Sequence, residues 1–236
     1  RFFKLLSVIS SVSDFSINLS LSMASALESK SISEIILVDD CSYLDNSLKV
    51  RKIAKSSSRI KYYKNSKSLG IHLSLIKALE KSNSEYVMIL DSEDFIIPNA
   101  IDKLFDYTQS NDLDLAYGKM AKKKNDEIFH FHHPGYKQSS YINCRNELND
   151  LFFFDNYIPR VGTIIRKSSI FPYFNIDYHK KLIDEFGSNF SSFDYDLFIN
   201  LAKKNKKFGF LDEFVCVDCE KNEVSFVKDR KSLKYL

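Results

Sequence analysis

Glycine is scarce, with six in 236 residues. None falls into G-x-G-x-x-G or the G-x-x-x-x-G-K-[ST] phosphate loop, which argues against a dinucleotide oxidoreductase and a P-loop kinase. If a nucleotide binds, metal and side chains must hold its phosphates. No serine sits in a G-x-S-x-G elbow, which argues against an α/β-hydrolase. No run approaches the roughly 18 apolar residues that span a bilayer. The opening Arg1-Phe-Phe-Lys-Leu-Leu-Ser-Val resembles a first core strand more than a signal peptide, so a soluble, cytoplasmic chain is expected. It opens on Arg1 rather than Met, as expected of a trimmed chain or one excised from a larger protein. An excess of one charge is also missing: 34 Lys and Arg against 31 Asp and Glu leave +3, too balanced to argue for a nucleic-acid partner. Cysteines are few and scattered, at Cys41, Cys144, Cys216 and Cys219. The one C-x-x-C, in Phe214-Val-Cys-Val-Asp-Cys219, alternates like a strand and has no second pair to complete a zinc site, so reduced thiols are expected.

What is present is an alternation of short apolar runs and helical patterns, which points to βαβ units around a mostly parallel sheet and one α/β domain. Strands are expected near 5–10, 34–38, 59–63, 86–90 and 113–117. Asp14 is placed to cap a helix carrying Ile17, Leu21, Ala24 and Leu27, and Pro98 to open another. The clearest later helix is 194–202, with a Lys-rich last turn that complements its dipole. After 118 the alternation fades, so the second half is expected to decorate the sheet in irregular fashion.

Two apolar runs end on acids: Ile35-Ile-Leu-Val38 runs into Asp39-Asp40, and Tyr86-Val-Met-Ile-Leu90 into Asp91-Ser92-Glu93-Asp94. Short buried parallel strands place both groups at strand carboxyl ends, where open α/β sheets bind ligands. Carboxylates crowded into one crevice repel one another unless a cation or hydrogen-bond donors offset the charge. A hard divalent metal with a phosphate-bearing ligand would do so; helix caps and loop acids are the plainer alternative. His130, His132 and His133 read as surface or substrate-contacting side chains. The basic groups at Lys122-Lys123-Lys124, Lys203-Lys204 with Lys206-Lys207, and 228–234 read as solvated faces, the last being where the chain could meet an anionic membrane surface.

These residues also resemble, in order and spacing, the family 2 glycosyltransferases and their GT-A nucleotide-sugar-binding fold. Ile35-Ile-Leu-Val-Asp-Asp-Cys-Ser42 is similar to the V-D-D-x-S segment, and Asn65 through Gly70 to N-x-x-x-x-G. Ile89-Leu-Asp-Ser-Glu-Asp-Phe-Ile-Ile-Pro98 is similar to L-D-x-D-D with its following Pro, and Phe193-Asp-Tyr-Asp-Leu-Phe198 to the E-D-Y-D-L helix start. The resemblance covers about 5–202. It implies a GT-A-like mostly parallel sheet flanked by helices, with a nucleotide-binding half about 1–118 and an acceptor half about 119–236. It further implies a donor set of Ser11, Asp39, Asp40, Lys77, Asp91 and Ser92, and Mn²⁺ or Mg²⁺ held by Glu93 and Asp94. Asp194 would be the base that activates an acceptor hydroxyl. The expected partners are a nucleotide-sugar, UDP-linked by preference, and a glycan or lipid-linked acceptor at the inner face of the membrane.

Three departures stand out. Ser11-Val-Ser-Asp14 replaces P-x-Y-N, Glu93 replaces the first Asp of the metal pair, and Phe193 replaces the Glu before the base. They keep open a second expectation, a glycosyltransferase-like domain that has lost catalysis and serves binding or assembly. A third, nucleotidyl transfer, shares the sheet and paired acids but is disfavoured by the glycine-poor first loop.

Overall fold

The computed structural model describes residues 5–16, 18–124, 127–130, 141–143, 151, 156–188 and 190–219. Four short strands form its parallel block: β1 (Leu6–Val12), β2 (Ile32–Asp39), β3 (Ile60–Lys64) and β4 (Tyr86–Ile89), in the order β3-β2-β1-β4. They are linked by α1 (Leu19–Glu28), α2 (Leu44–Ala54) and α3 (Ile71–Lys81). Successive β2 side chains are buried on opposite faces: Ile35 and Leu37 pack in one core, Ile36 and Val38 in the other. This explains why the run shows no polar alternation, since helices cover both sides.

After β5 (Phe95–Ile96), helix α4 (Pro98–Ser110) begins with its proline at the first turn, where the missing N–H costs nothing. The remaining strands are β6 (Leu115–Lys124), β7 (Glu127–His130), β8 (Tyr141–Asn143), β9 (Ile164–Arg166) and β10 (Phe208–Cys219), with helices α5 (Lys167–Ile170), α6 (Ile176–Phe186) and α7 (Phe193–Lys203). The sheet continues from β4 through β9, β6 and β10 to β5. β9 runs antiparallel between β4 and β6, while β10 runs parallel to β6 and antiparallel to β5. The second half therefore does more than decorate the sheet: it supplies β9 and β10, which complete the edge where the acids lie. β9 is only three residues long, too short to show a period in the sequence.

Two details differ from expectation. α1 starts at Leu19, four residues past the position Asp14 would need to cap it, and the Asp14 carboxylate instead accepts from the Phe15 backbone N–H and from Asn46. The C-x-x-C lies on β10 with Cys216 buried and Cys219 half-buried, neither in a disulfide; Cys41 is exposed and also outside any disulfide. Among the described residues no helix is long and apolar enough to cross a membrane. His132, His133, Cys144 and the basic tail 228–234 lie outside the described residues.

The β6–β10 ladder carries register shifts between Phe210 and Cys216, and Gly118 lies under this irregular stretch. A Cβ at Gly118 would come within 2.5 Å of Val215 Cγ1 and 2.7 Å of the Glu213 backbone oxygen. Gly118→Ala is expected to destabilise the fold by about 1–3 kcal/mol through overpacking, read as a lower melting temperature. A wild-type melting temperature would show that β10 has room to yield.

Candidate active site

The two acids at the end of β2, Asp39 and Asp40, differ from a pair of open ligands. Asp39 is fully buried, and its carboxylate accepts from the Ser42 backbone N–H at 2.8 Å, the Ser47 hydroxyl at 2.8 Å and the Tyr62 hydroxyl at 2.7 Å. It thus ties the end of β2 to the start of α2 and to β3. Asp40, 4% exposed, accepts from Asn65 Nδ2, Leu69 N and Gly70 N at 2.8 Å each and from Ser68 Oγ at 2.9 Å. Burial raises the Asp40 carboxyl pKa, but these four donors outweigh it and hold the group below its ordinary value. Gly70, at φ +87°, supplies the left-handed entry into α3 that lets consecutive N–H groups turn onto one carboxylate. Lys77 joins the same network, donating to Asn65 Oδ1 at 2.6 Å. Ser11 pairs with Val38 near the end of β1, one register position from Asp39.

The second acid group turns away from the end of β4. Asp94 N–H donates to Asp91 O at 3.2 Å, closing the turn that carries Ser92 and Glu93, both half-buried. α1 steadies this turn through Ser22 Oγ, 3.1 Å from Asp91 O. From the far edge, β10 reaches it as well: the Cys219 N–H donates to Asp94 Oδ1 at 3.0 Å. Burial pushes the Asp94 carboxyl up to about 7, with the Asp91 charge adding to the rise and the Cys219 N–H opposing it. A carboxyl pressed toward neutrality by burial and a like charge gains from a cation beside it. Among the described residues no three His, Cys, Asp or Glu form a metal cage. That donor set fits an ion of the Mg²⁺ class, which takes one or two carboxylates and fills its shell with water and substrate phosphates.

The base candidate comes from a third region. α7 begins at Phe193 with Ser192 at its N-cap position, so Asp194 lies inside the first turn and is not the cap. Asn156 Nδ2 donates to Asp194 Oδ2 at 3.3 Å. Four residues on, Arg160 pairs its Nη2 with Asp91 Oδ2. The Asp91 charge raises the Arg160 pKa above the ordinary arginine value, burial opposes, and Asp194 and Asp94 add to the rise. One short segment, 156–160, therefore connects Asp91 with Asp194.

Phe193, the departure beside the base, has a local explanation. Its ring stacks on His72 of α3 at 3.8 Å and 12°, with His179 of α6 5.1 Å away and nearly parallel. Burial, helped by the charges of His179 and Arg160, drives the His72 pKa down to about 3, so the stack contains a neutral imidazole near pH 7. α3, whose first turn is fixed by Asp40, thus packs directly on the first turn of α7. Arg160, Asn156 and His72 were invisible to motif reading because each stands alone in the sequence; only the Pro159 beside Arg160 marks a fixed turn.

The described sites gather into two sets. Asp40 and Lys77 share one network through Asn65, while Arg160 pairs with Asp91 and feels the charges of Asp94 and Asp194. The chain matches the family model described as glycosyl transferase family 2 over residues 18–174. It is 25% identical over 199 residues to an uncharacterized glycosyltransferase of Methanocaldococcus jannaschii, covering 79% of this chain and 60% of the relative. An uncharacterized glycosyltransferase of Mycoplasma pneumoniae is 33% identical over 96 residues, 38% of this chain and 32% of that protein. The chain thus spans about three fifths and one third of these relatives. Residues 1–349 of S. aureus TarS share the fold. In complex with UDP-GlcNAc they align at TM-score 0.69 and 17% identity, covering 93% of this chain and 59% of that one. In complex with UDP they give TM-score 0.68 at 17% identity, covering 92% and 61%.

The Asp40 network carries a pH-dependent prediction. Its folded carboxyl titrates below the ordinary value of 3.8, so its stabilisation is complete above that pH and is lost as pH falls through the folded value. Asp40→Asn is expected to cost on the order of 2 kcal/mol at pH 7, and the gap in melting temperature to wild type should close as pH is lowered toward 3. A gap unchanged across that range would show that the ionised carboxylate is not its source.

Proposed function

This chain belongs to glycosyl transferase family 2, and from that premise we propose that it moves a sugar from a nucleotide-sugar donor to a glycan or glycoconjugate acceptor, inverting the anomeric carbon. The single observation that carries the reading is that one segment, 156–160, joins Asp91 beside the carboxyl end of β4 to Asp194, through the Arg160–Asp91 pair and the Asn156–Asp194 hydrogen bond. In this reading the turn after β4 faces the donor diphosphate, and Asp194 faces the acceptor. TarS, solved with UDP-GlcNAc and with UDP, motivates UDP as the first donor nucleotide to test.

Asp194 accepts the proton of the acceptor hydroxyl as its oxygen attacks the anomeric carbon and the bond to the nucleoside diphosphate breaks. The Asn156 amide orients the carboxylate for that transfer. Glu93 and Asp94 would hold Mn²⁺ or Mg²⁺, which when bound offsets charge developing on the departing diphosphate. Asp40 and Lys77 act at one remove, fixing the loop and helix that border the donor crevice. The acceptor side is assigned to the chain after 118, to segments 119–160 and 170–192; a lipid-linked acceptor at a membrane face belongs to the same proposal.

Two variants separate the roles. Asp194→Asn should retain UDP binding and lose about 10²–10⁴ in turnover, read as UDP release from a panel of UDP-sugars with glycan acceptors. Undiminished release would remove Asp194 from the mechanism. Asp94→Asn should lose the gain in UDP affinity that Mn²⁺ confers; UDP affinity equal to wild type in Mn²⁺ would refute the metal assignment.

A further inference from the structure

We propose that Arg160 is a phosphate ligand of the donor site: its guanidinium, which pairs with Asp91 in this structure, takes an oxygen of the nucleotide diphosphate when donor binds. The inference rests on the transferase reading above and assigns a cationic contact that no acid motif supplies.

The first support is placement. Val161 bridges Ile89 in parallel, Gly162 N–H donates to Ile89 O at 3.3 Å, and the Cys216 thiol donates to Val161 O at 3.1 Å. A Cβ at Gly162 would stand 3.2 Å from both Cys216 Cβ and Val215 Cγ2, so this backbone is closely packed between β4 and β10. Arg160 is thereby held beside the strand end that launches the acid turn, on a scaffold a bound ligand would not have to order.

The second support is unspent hydrogen-bonding capacity. Arginine presents five N–H donors in a planar fork. One arm meets Asp91, whereas Nε is buried and has no hydrogen-bond partner among the described residues. A buried donor without a partner is costly, and such groups are rare unless a ligand or water completes them. The side chain as a whole is nevertheless 37% exposed, so part of the fork is open. A planar guanidinium with one edge uncommitted matches two phosphate oxygens better than an ammonium does.

The third support is charge. Asp91 pairs with the guanidinium, and Asp94 and Asp194 add their negative charge to its field. A diphosphate entering that field meets repulsion from the acids, and Arg160 is a fixed cation already among them. One arm stays on Asp91 while the open part of the fork takes the phosphate oxygen, so binding strands neither the guanidinium nor the carboxylate.

The test compares UDP with uridine, which lacks the diphosphate. Wild type, Arg160→Gln and Arg160→Lys are titrated with UDP by calorimetry in EDTA and in Mn²⁺, and with uridine by ligand-observed NMR. Arg160→Gln is expected to weaken UDP at least about tenfold in EDTA while uridine changes less than about twofold. UDP affinity unchanged by Arg160→Gln overturns the inference. So does an equal loss for UDP and uridine, because Arg160 would then act only by shaping the pocket through Asp91. If Arg160→Gln lacks a cooperative melting transition, Arg160→Lys carries the comparison. It keeps the charge but not the fork, and selective UDP weakening supports the inference where none contradicts it. Wild type that binds none of UDP, GDP and CDP overturns both this inference and the transferase reading. Where one of them binds, the comparison is run with that diphosphate and its nucleoside, and a result that leaves both variants unaffected overturns this inference alone.

Discussion

Crowding of like charge beside the carboxyl end of β4 is the constraint on which the rest of the site depends. Asp91, Asp94 and Asp194 each act on the same guanidinium, and burial with the Asp91 charge has driven the Asp94 carboxyl up to about 7. A polypeptide can offset such crowding with a cation, with N–H donors or by protonation. This chain uses all three: Arg160 on Asp91, the Cys219 N–H on Asp94, and a carboxyl poised to take a proton. The arrangement is one that an incoming diphosphate and a hard metal ion would complete together.

The acids at the end of β2 solve the same problem differently. Asp39 and Asp40 are enclosed by seven donors between them, three on the first and four on the second, and none of these donors is a charged side chain. These donors tie both acids into the architecture: Asp39 fixes the start of α2 and Asp40 the entry to α3. Because α3 carries His72, and His72 stacks on Phe193, the Asp40 network reaches the first turn of α7 and hence Asp194. The α3 and α7 elements are therefore coupled through a packed aromatic contact, and Asp91 and Asp194 through the Arg160 segment.

Much of this was legible in the sequence where local pattern and tertiary role agree. The runs 34–38 and 86–90 became β2 and β4, Pro98 opened α4, and the Asp194 segment began a helix, because each rests on short-range propensity and burial. What could not be read depends on contacts between distant residues. β9 has three residues and acquires its strand character from β4 and β6, over seventy and forty positions away respectively. Asp14 looked like a cap because its residue type favours caps, but its carboxylate is taken by Phe15 N–H and Asn46. Arg160 carries no motif, and its meaning comes only from the Val161–Ile89 bridge that brings it to Asp91. Phe193 departs from the expected Glu beside the candidate base and packs with His72 and His179 in one aromatic cluster.

The measurement that bears most directly on the acid edge as a nucleotide diphosphate site is a calorimetric titration of the wild-type chain with UDP, GDP and CDP, each in Mn²⁺ and in EDTA. The account predicts that UDP binds and binds more tightly in Mn²⁺, with GDP and CDP weaker. A chain that shows a cooperative melting transition yet binds none of the three, with or without metal, would contradict it and leave a glycosyltransferase fold put to binding or assembly.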